Sequence, residues 1–322
     1  MEAKGLLYDS SYSIDTSILG KGIKRIRRSS IRHLGENLYA SLGLVNEMIA
    51  LPSKLLALIH FERSVVFIET KARILAKLTQ SGEDDFEEKY QKELNELFES
   101  EFKPKAEEIA KGAVEVGKSK FTEMLEKNEI GLRGTYDALL NSSIVWVWCS
   151  FEVLVRELWT QSLNEGGKHL GNVVIKKLPE QTGGRSKIQG KYVGLDYLAK
   201  YDYDISKDLG TVLMNKFDFT SVSGIYEAYD CAFPKSESIR EALRSEKLGE
   251  VEATRNVIVH NAGIIDDDFC KRTSTNVAEK GNKLRLDNRK VCEYGDVVID
   301  VAVAVMLAVN SNLAYIKSKT KK

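Results

Sequence analysis

Only four prolines, at positions 52, 104, 179 and 234, interrupt a chain of 322 residues. Proline removes a backbone donor and clashes with the preceding turn, so its scarcity leaves room for long uninterrupted helices. Apolar residues recur at helical spacing through most of the sequence. The stretch "LYASLGLVNEMIALPSKLLALIHFERSVVFIETKARILAKL" reads as two helices broken at Pro52, with Ser53 capping the second. Phe86, Tyr90, Leu94, Leu97 and Phe98 then mark one face of a charged helix, and another helix starts near Pro104 and runs through Ile109, Val116, Phe121 and Leu125. "ALLNSSIVWVWCSFEVLVRELW" is apolar on nearly all sides, which predicts a helix at the centre of a bundle. Residues 164–191 are polar and glycine-rich and are expected to form a long loop. Short helices follow around "LDYLAKY" and "SVSGIYEAY", then one at "SESIREALRSEKL" after Pro234, and a last one over about residues 289–317; "KLRLD" has the alternation of a short strand. The class is all-α, a helical bundle without an internal repeat.

Composition narrows the function. Hydrophobic residues make up 43% and charged residues 29%, and 47 basic residues balance 47 acidic ones. The bulk charge therefore favours neither nucleic acid nor membrane. Its distribution is less even. Between residues 16 and 35 there is no acid, while Lys21, Lys24, Arg25, Arg27, Arg28 and Arg32 crowd together; the acid-free tail ends in Lys317, Lys319, Lys321 and Lys322. Such runs are either solvated faces or phosphate contacts, and Lys24, Arg25, Arg27 and Arg28 are the candidate RNA-binding residues of the first. Cys149, Cys231, Cys270 and Cys292 are scattered, with no CxxC pair and no histidine at ligand spacing. That argues against structural zinc and a disulfide framework and suits the reducing cytosol. The N-terminal residues lack a signal-peptide pattern. The longest apolar run, residues 297–309, is short for a bilayer and carries Asp300, so a core helix is expected there and no membrane partner.

One segment stands apart. "TRNVIVHNAG" places an arginine, an asparagine and a histidine in a short apolar stretch, in a chain with four histidines. If residues 248–261 are helical, Gly263 fits the left-handed position that ends such a helix. At about 100° per residue, Glu252, Asn256 and His260 share one stripe, with Arg255 beside it. Ala253, Val257 and Ile258 fall on the opposite side, and Val259 lies within the polar arc. A histidine titrating near about pH 6.5 can give or take a proton at neutral pH. Arginine supplies a permanently charged planar fork for phosphate oxygens, and asparagine adds a neutral donor. Together these groups suit cleavage of RNA by its own 2′-hydroxyl, a reaction that needs no metal or other cofactor. The spacing alone is weak, because "RSSIRH" repeats it from Arg28 to His33.

Arg255, Asn256 and His260, in the pattern RNxxxH, resemble the signature of the HEPN superfamily. "HNAGIIDDDF" after the histidine, "GNKLRLDNRKV" before the last helix, and an earlier apolar helix bearing "SFE" extend the resemblance over roughly residues 131–317. It implies a HEPN-like helical domain over residues 131–322, with residues 1–130 an added N-terminal helical region. It also implies a metal-independent endoribonuclease of a toxin or phage-defence setting, working as a homodimer in which two motif helices face each other across a composite cleft. A regulatory or antitoxin partner fits the same setting. Glu152 would then orient the motif arginine, the alternative being a simple pair with Arg156 one turn on. Glu252, three residues before Arg255, is expected in a similar supporting position. Ala262 stands where some members carry a modifiable tyrosine, so that form of regulation is not expected. Two alternatives stay open: a catalytically silent HEPN module that binds RNA or nucleotide, and a helical protein-interaction module.

Overall fold

Helices dominate because few residues forbid them, and the computed structural model describes them over residues 13–79, 85–128, 131–178, 195–202 and 204–320. They are α1 (Ser17–Arg25), α2 (Ser29–Thr79), α3 (Phe86–Leu97), α4 (Ala106–Lys127), α5 (Leu132–Lys177), α6 (Leu195–Ala199), α7 (Leu209–Met214), α8 (Val222–Ala232), α9 (Glu237–Leu243), α10 (Glu246–His260), α11 (Asp267–Thr273) and α12 (Asn288–Thr320). Among the described residues there is no strand. The expected strand at "KLRLD" contributes one isolated bridge, Lys283 to Ile264, although its alternation holds: Leu284 and Leu286 are buried, Lys283 and Arg285 exposed.

The chain divides into two compact units, residues 47–137 and residues 13–46 with 138–322. The expected division near residue 130 differs from this in two respects: residues 13–46 group with the C-terminal unit, and residues 131–137 group with the first.

In the first unit Pro52 does not end a helix; α2 runs through it. Ser53, expected as a cap, is buried and donates its hydroxyl to the Ala50 carbonyl at 2.9 Å. The reason is tertiary. Gly117 of α4 approaches so closely that a Cβ there would lie 2.5 Å from the Ser53 carbonyl oxygen and 2.6 Å from the Ala57 nitrogen. Packing at this crossing offsets the hydrogen bond that proline cannot make. Further along, Ile68, Ala72, Leu97 and Phe102 form a small core, with Phe61 edge-on to Phe102 at 5.8 Å.

The second unit is built around α5. Trp148, Phe151 and Trp159 are fully buried, and α8 is fastened to α5 by two bonds: the Trp159 indole donates to the Ala228 carbonyl (2.8 Å) and the Tyr229 hydroxyl to the Val155 carbonyl (2.7 Å). The glycine-rich stretch expected as a loop is helical as far as Lys177. Non-helical backbone occurs at Gly167, after which Leu170, Val174 and Leu178 are buried. Residues 179–191 of that expected loop lie outside the described residues. The 13–46 arm is held by Ile14, whose N–H donates to the Asn46 side chain (2.8 Å) and whose carbonyl accepts from it (3.0 Å), and by the Asp15 N–H, which donates to the Asp296 carboxylate (3.1 Å).

Three helices, α2, α5 and α12, are long and apolar enough to cross a membrane by length and composition. Within the protein α12 buries 50% of its most apolar stretch, α5 44% and α2 only 28%, so α2 is the helix that leaves an apolar face bare. Leu51, Leu55, Leu58, Ile59, Val66 and Phe67 are among its exposed apolar residues.

Candidate functional site

The motif lies on α10, and both ends of that helix are fixed. Ser245 caps the N-terminus, its hydroxyl oxygen accepting from the Leu248 N–H at 3.4 Å. The expected helix "SESIREALRSEKL" is therefore cut: α9 stops at Leu243 and α10 begins at Glu246. At the other end the N–H groups of Asn261 and Gly263 both donate to the Val257 carbonyl (3.1 and 3.0 Å), with Ala262 at φ +50° and Gly263 at φ +79°. Gly263 thus occupies the left-handed exit that the sequence predicts. The Gly263 carbonyl accepts from Leu284 (2.7 Å), which holds the segment after His260 in place.

Leu248, Val251, Ala253 and Val257 turn one side of α10 into the core, with Ile258 partly covered; Val259 is 47% exposed. The other side borders a groove of about 870 Å³ in which Glu252, Arg255, Asn256 and His260 all take part. Asn256 and Arg255 are half-buried and His260 exposed. Asn256 accepts from Arg255 Nη1 at 3.0 Å, so the asparagine orients the guanidinium and keeps its own NH₂ group as a donor. Arg255 Nε is shut off from solvent without an acceptor.

Glu152 lies on α5 close enough to Arg255 for their charges to interact. Burial raises its carboxyl above the ordinary carboxylate range, and Arg255, then Arg156, pull it back. Burial likewise raises the Cys149 thiol one turn earlier, with Glu152 adding to that rise and Arg255 opposing it. No ion pair closes between Glu152 and Arg255. The simpler pairing with Arg156 is not formed either, since Arg156 donates to Glu157 at 3.2 Å. Glu252 turns away from Arg255: it is buried and bound by Arg272 of α11 at 2.5 Å, a guanidinium that also donates to the Gly249 carbonyl (3.2 Å). Glu252 therefore ties α11 to α10, and Arg255 carries a charge without a carboxylate partner among the described residues.

Several groove residues come from elsewhere in the chain. Arg244 precedes the cap and donates to the Tyr226 hydroxyl at 2.7 Å. Asp218 accepts from the hydroxyls of Thr220 (2.6 Å) and Ser221 (2.8 Å) at the start of α8. Arg244 itself ends α9 rather than lying on α10, so the helical stripe of the motif does not reach it.

Of the basic N-terminal cluster, Lys24, Arg25 and Arg27 are exposed. Arg28 is engaged by Glu165 at 2.6 Å, and Arg32 donates to the Ile26 carbonyl at 2.8 Å. His33 is 3.8 Å from Glu36 on an exposed turn of α2. On α5, Trp146 and Val153 are exposed; Val145, Trp146 and Cys149 together with Ile258 of α10 line a mostly apolar dent of about 530 Å³. Among the described residues no three His, Cys, Asp or Glu side chains converge as a metal-ligand set. Compared with family models, curated proteins and solved structures, the chain matches none of them.

Proposed function

We propose that this protein is a HEPN-type endoribonuclease that cleaves RNA by attack of the 2′-hydroxyl on the adjacent phosphate, without a metal. The observation that carries the reading is the convergence of Arg255, Asn256 and His260 on one groove, with Arg255 held by Asn256 and lacking a carboxylate partner among the described residues. A guanidinium in that condition keeps its charge available for an anion. As the phosphate gathers negative charge in the transition state, Arg255 stabilises it. His260 moves the proton to or from a reacting oxygen. Asn256 holds the guanidinium and offers its amide N–H to the phosphate.

The reaction uses two proton-transfer positions on opposite sides of the phosphate, and one chain supplies one histidine in the groove. We propose that a second copy supplies the other in a homodimer, acting in the cytosol in a toxin or phage-defence role with a partner that restrains it. Trp146 and Val153 on α5 and Val259 on α10 support this pairing: they are exposed apolar side chains of the kind that a partner covers. The interaction-module reading draws on a different observation, the bare face of α2. The test is incubation of the purified protein with mixed RNAs, with and without chelator. Cleavage in chelator that leaves 2′,3′-cyclic phosphate and 5′-hydroxyl ends supports the ribonuclease. Loss of activity in chelator with rescue by a divalent ion overturns the mechanism, and RNA binding without cleavage favours the silent module.

A further inference from the structure

Of the three arginines that line the groove, Arg272 is committed to Glu252 and Asp268. Arg244, like Arg255, makes no ion pair among the described residues, and it is exposed. Its partner is an aromatic ring. The guanidinium donates to the Tyr226 hydroxyl, and its central carbon lies 5.1 Å from the ring centre. A planar cation and a phenol ring are thus joined in one unit, with the cation open to solvent. Unpaired bases are bound by such surfaces, stacking on tyrosine rings and on arginine planes. A base inside a duplex has no free face to offer.

The position of this unit relative to Arg255 follows from the helix. Arg244 stands just before the N-terminus of α10, and the groove follows the helix through Gly249 and Asn256 to His260. From residue 246, where α10 begins, to residue 255 is 9 steps, or about 14 Å at about 1.5 Å each, and Arg244 lies two residues further back. At about 3.4 Å per stacked nucleotide the whole span is about five nucleotides, and fewer in a stretched strand.

Resting on the ribonuclease reading, we propose that Arg244 and Tyr226 form a stacking platform for an unpaired base, so that a single-stranded RNA lies along α10 with the reacting phosphate at Arg255 and a second hold near the helix N-terminus. The platform selects single strands over duplexes and sets a minimum length of several nucleotides. It contributes to binding, while His260 and Arg255 carry the chemistry.

The experiment is an abasic scan. An RNA strand made uncleavable by a 2′-deoxy nucleotide at the cleaved position carries one abasic nucleotide at successive positions, and Kd is measured for the wild type and for the Tyr226→Ala, Arg244→Ala double variant. The wild type is expected to lose about tenfold in affinity at one position displaced from the cleaved bond by about two to five nucleotides. The double variant should bind the intact strand about tenfold more weakly and show no further loss at that position. In turnover its KM should rise with kcat nearly unchanged. Tyr226→Phe, which keeps the ring, should retain most of the affinity and guards against a folding defect. A flat scan in the wild type, the same loss in the double variant, or equal affinity for duplex RNA overturns the platform. If no RNA is cleaved, the ribonuclease reading falls, and the same scan on intact RNA still judges the platform alone.

Discussion

Arg28 and His33 stand five residues apart in the chain, and so do Arg255 and His260. The first arginine is neutralised by Glu165 and supported by Ser30, which donates to the same carboxylate, and the histidine near it is 71% exposed on a helix surface. The second arginine has a neutral partner, Asn256, and a raised carboxyl, Glu152, nearby but out of ion-pair reach. Its histidine borders the same groove. Equal spacing thus yields a structural clamp at one place and a candidate anion site at the other. The difference is which charges are already satisfied by the fold.

The comparison breaks most directly in a nuclease assay. Replacing His260 with alanine should slow cleavage by about 10²–10⁴-fold, as expected for loss of a general acid or base, and Arg255→Ala should lower kcat to a similar extent. His33→Ala should cleave at the wild-type rate. The reverse pattern, in correctly folded variants, would move the site to the N-terminal pair.

Glu152 sharpens the contrast. Glu152→Gln should lower cleavage by about tenfold if the charge helps to place Arg255. It should also raise the Tm at pH 7, because folding lifts the carboxyl above its unfolded pKa and so disfavours the charged form. The sign follows from linkage: wild-type stability from this group is fully present below the unfolded value and is lost as pH rises through the folded one. The Tm difference between wild type and variant should therefore vanish below about pH 4. A variant that is less stable at neutral pH would contradict the burial argument.

The exposed cations give a smaller effect. Glutamines at Lys24, Arg25 and Arg27 should reduce the slope of log affinity against log salt by about 0.7 for each phosphate left without its cation; an unchanged slope makes the cluster a solvated face. Arg28→Ala should cost about 1 kcal/mol of stability, measured by urea unfolding, through loss of the Glu165 pair, and leave cleavage untouched. If it abolished cleavage instead, Arg28 would be more than a clamp.

Periodicity made the helices legible, since a chain poor in proline and rich in helical spacing has few other options. It misread Pro52 because the force that carries α2 past it is the close approach of Gly117, 65 residues away in sequence (117 − 52). Residues 164–177 look like a loop for the opposite reason: glycines and charges outweigh the helical spacing of Leu170, Val174 and Leu178. At the site, Arg255, Asn256 and His260 were readable because one helix carries all three. Arg244, Tyr226 and Arg272 were not, because they belong to separate elements, and the partner of Glu252, Arg272, stands 20 residues further on.

The hydrogen bond from Asp15 to Asp296 joins residues 281 apart, and α12 also packs against α1, α9 and α10. A ribosome releases the chain from its N-terminus, so the arm at residues 13–46 must wait, without this partner, until residue 296 has been made. The helix that carries Arg255 and His260 likewise gains its support from α12 only once residues 288–320 have been made. Nascent chains halted before residue 288 therefore leave α10 without a helix that it packs against, and the order of synthesis itself delays the support of the site.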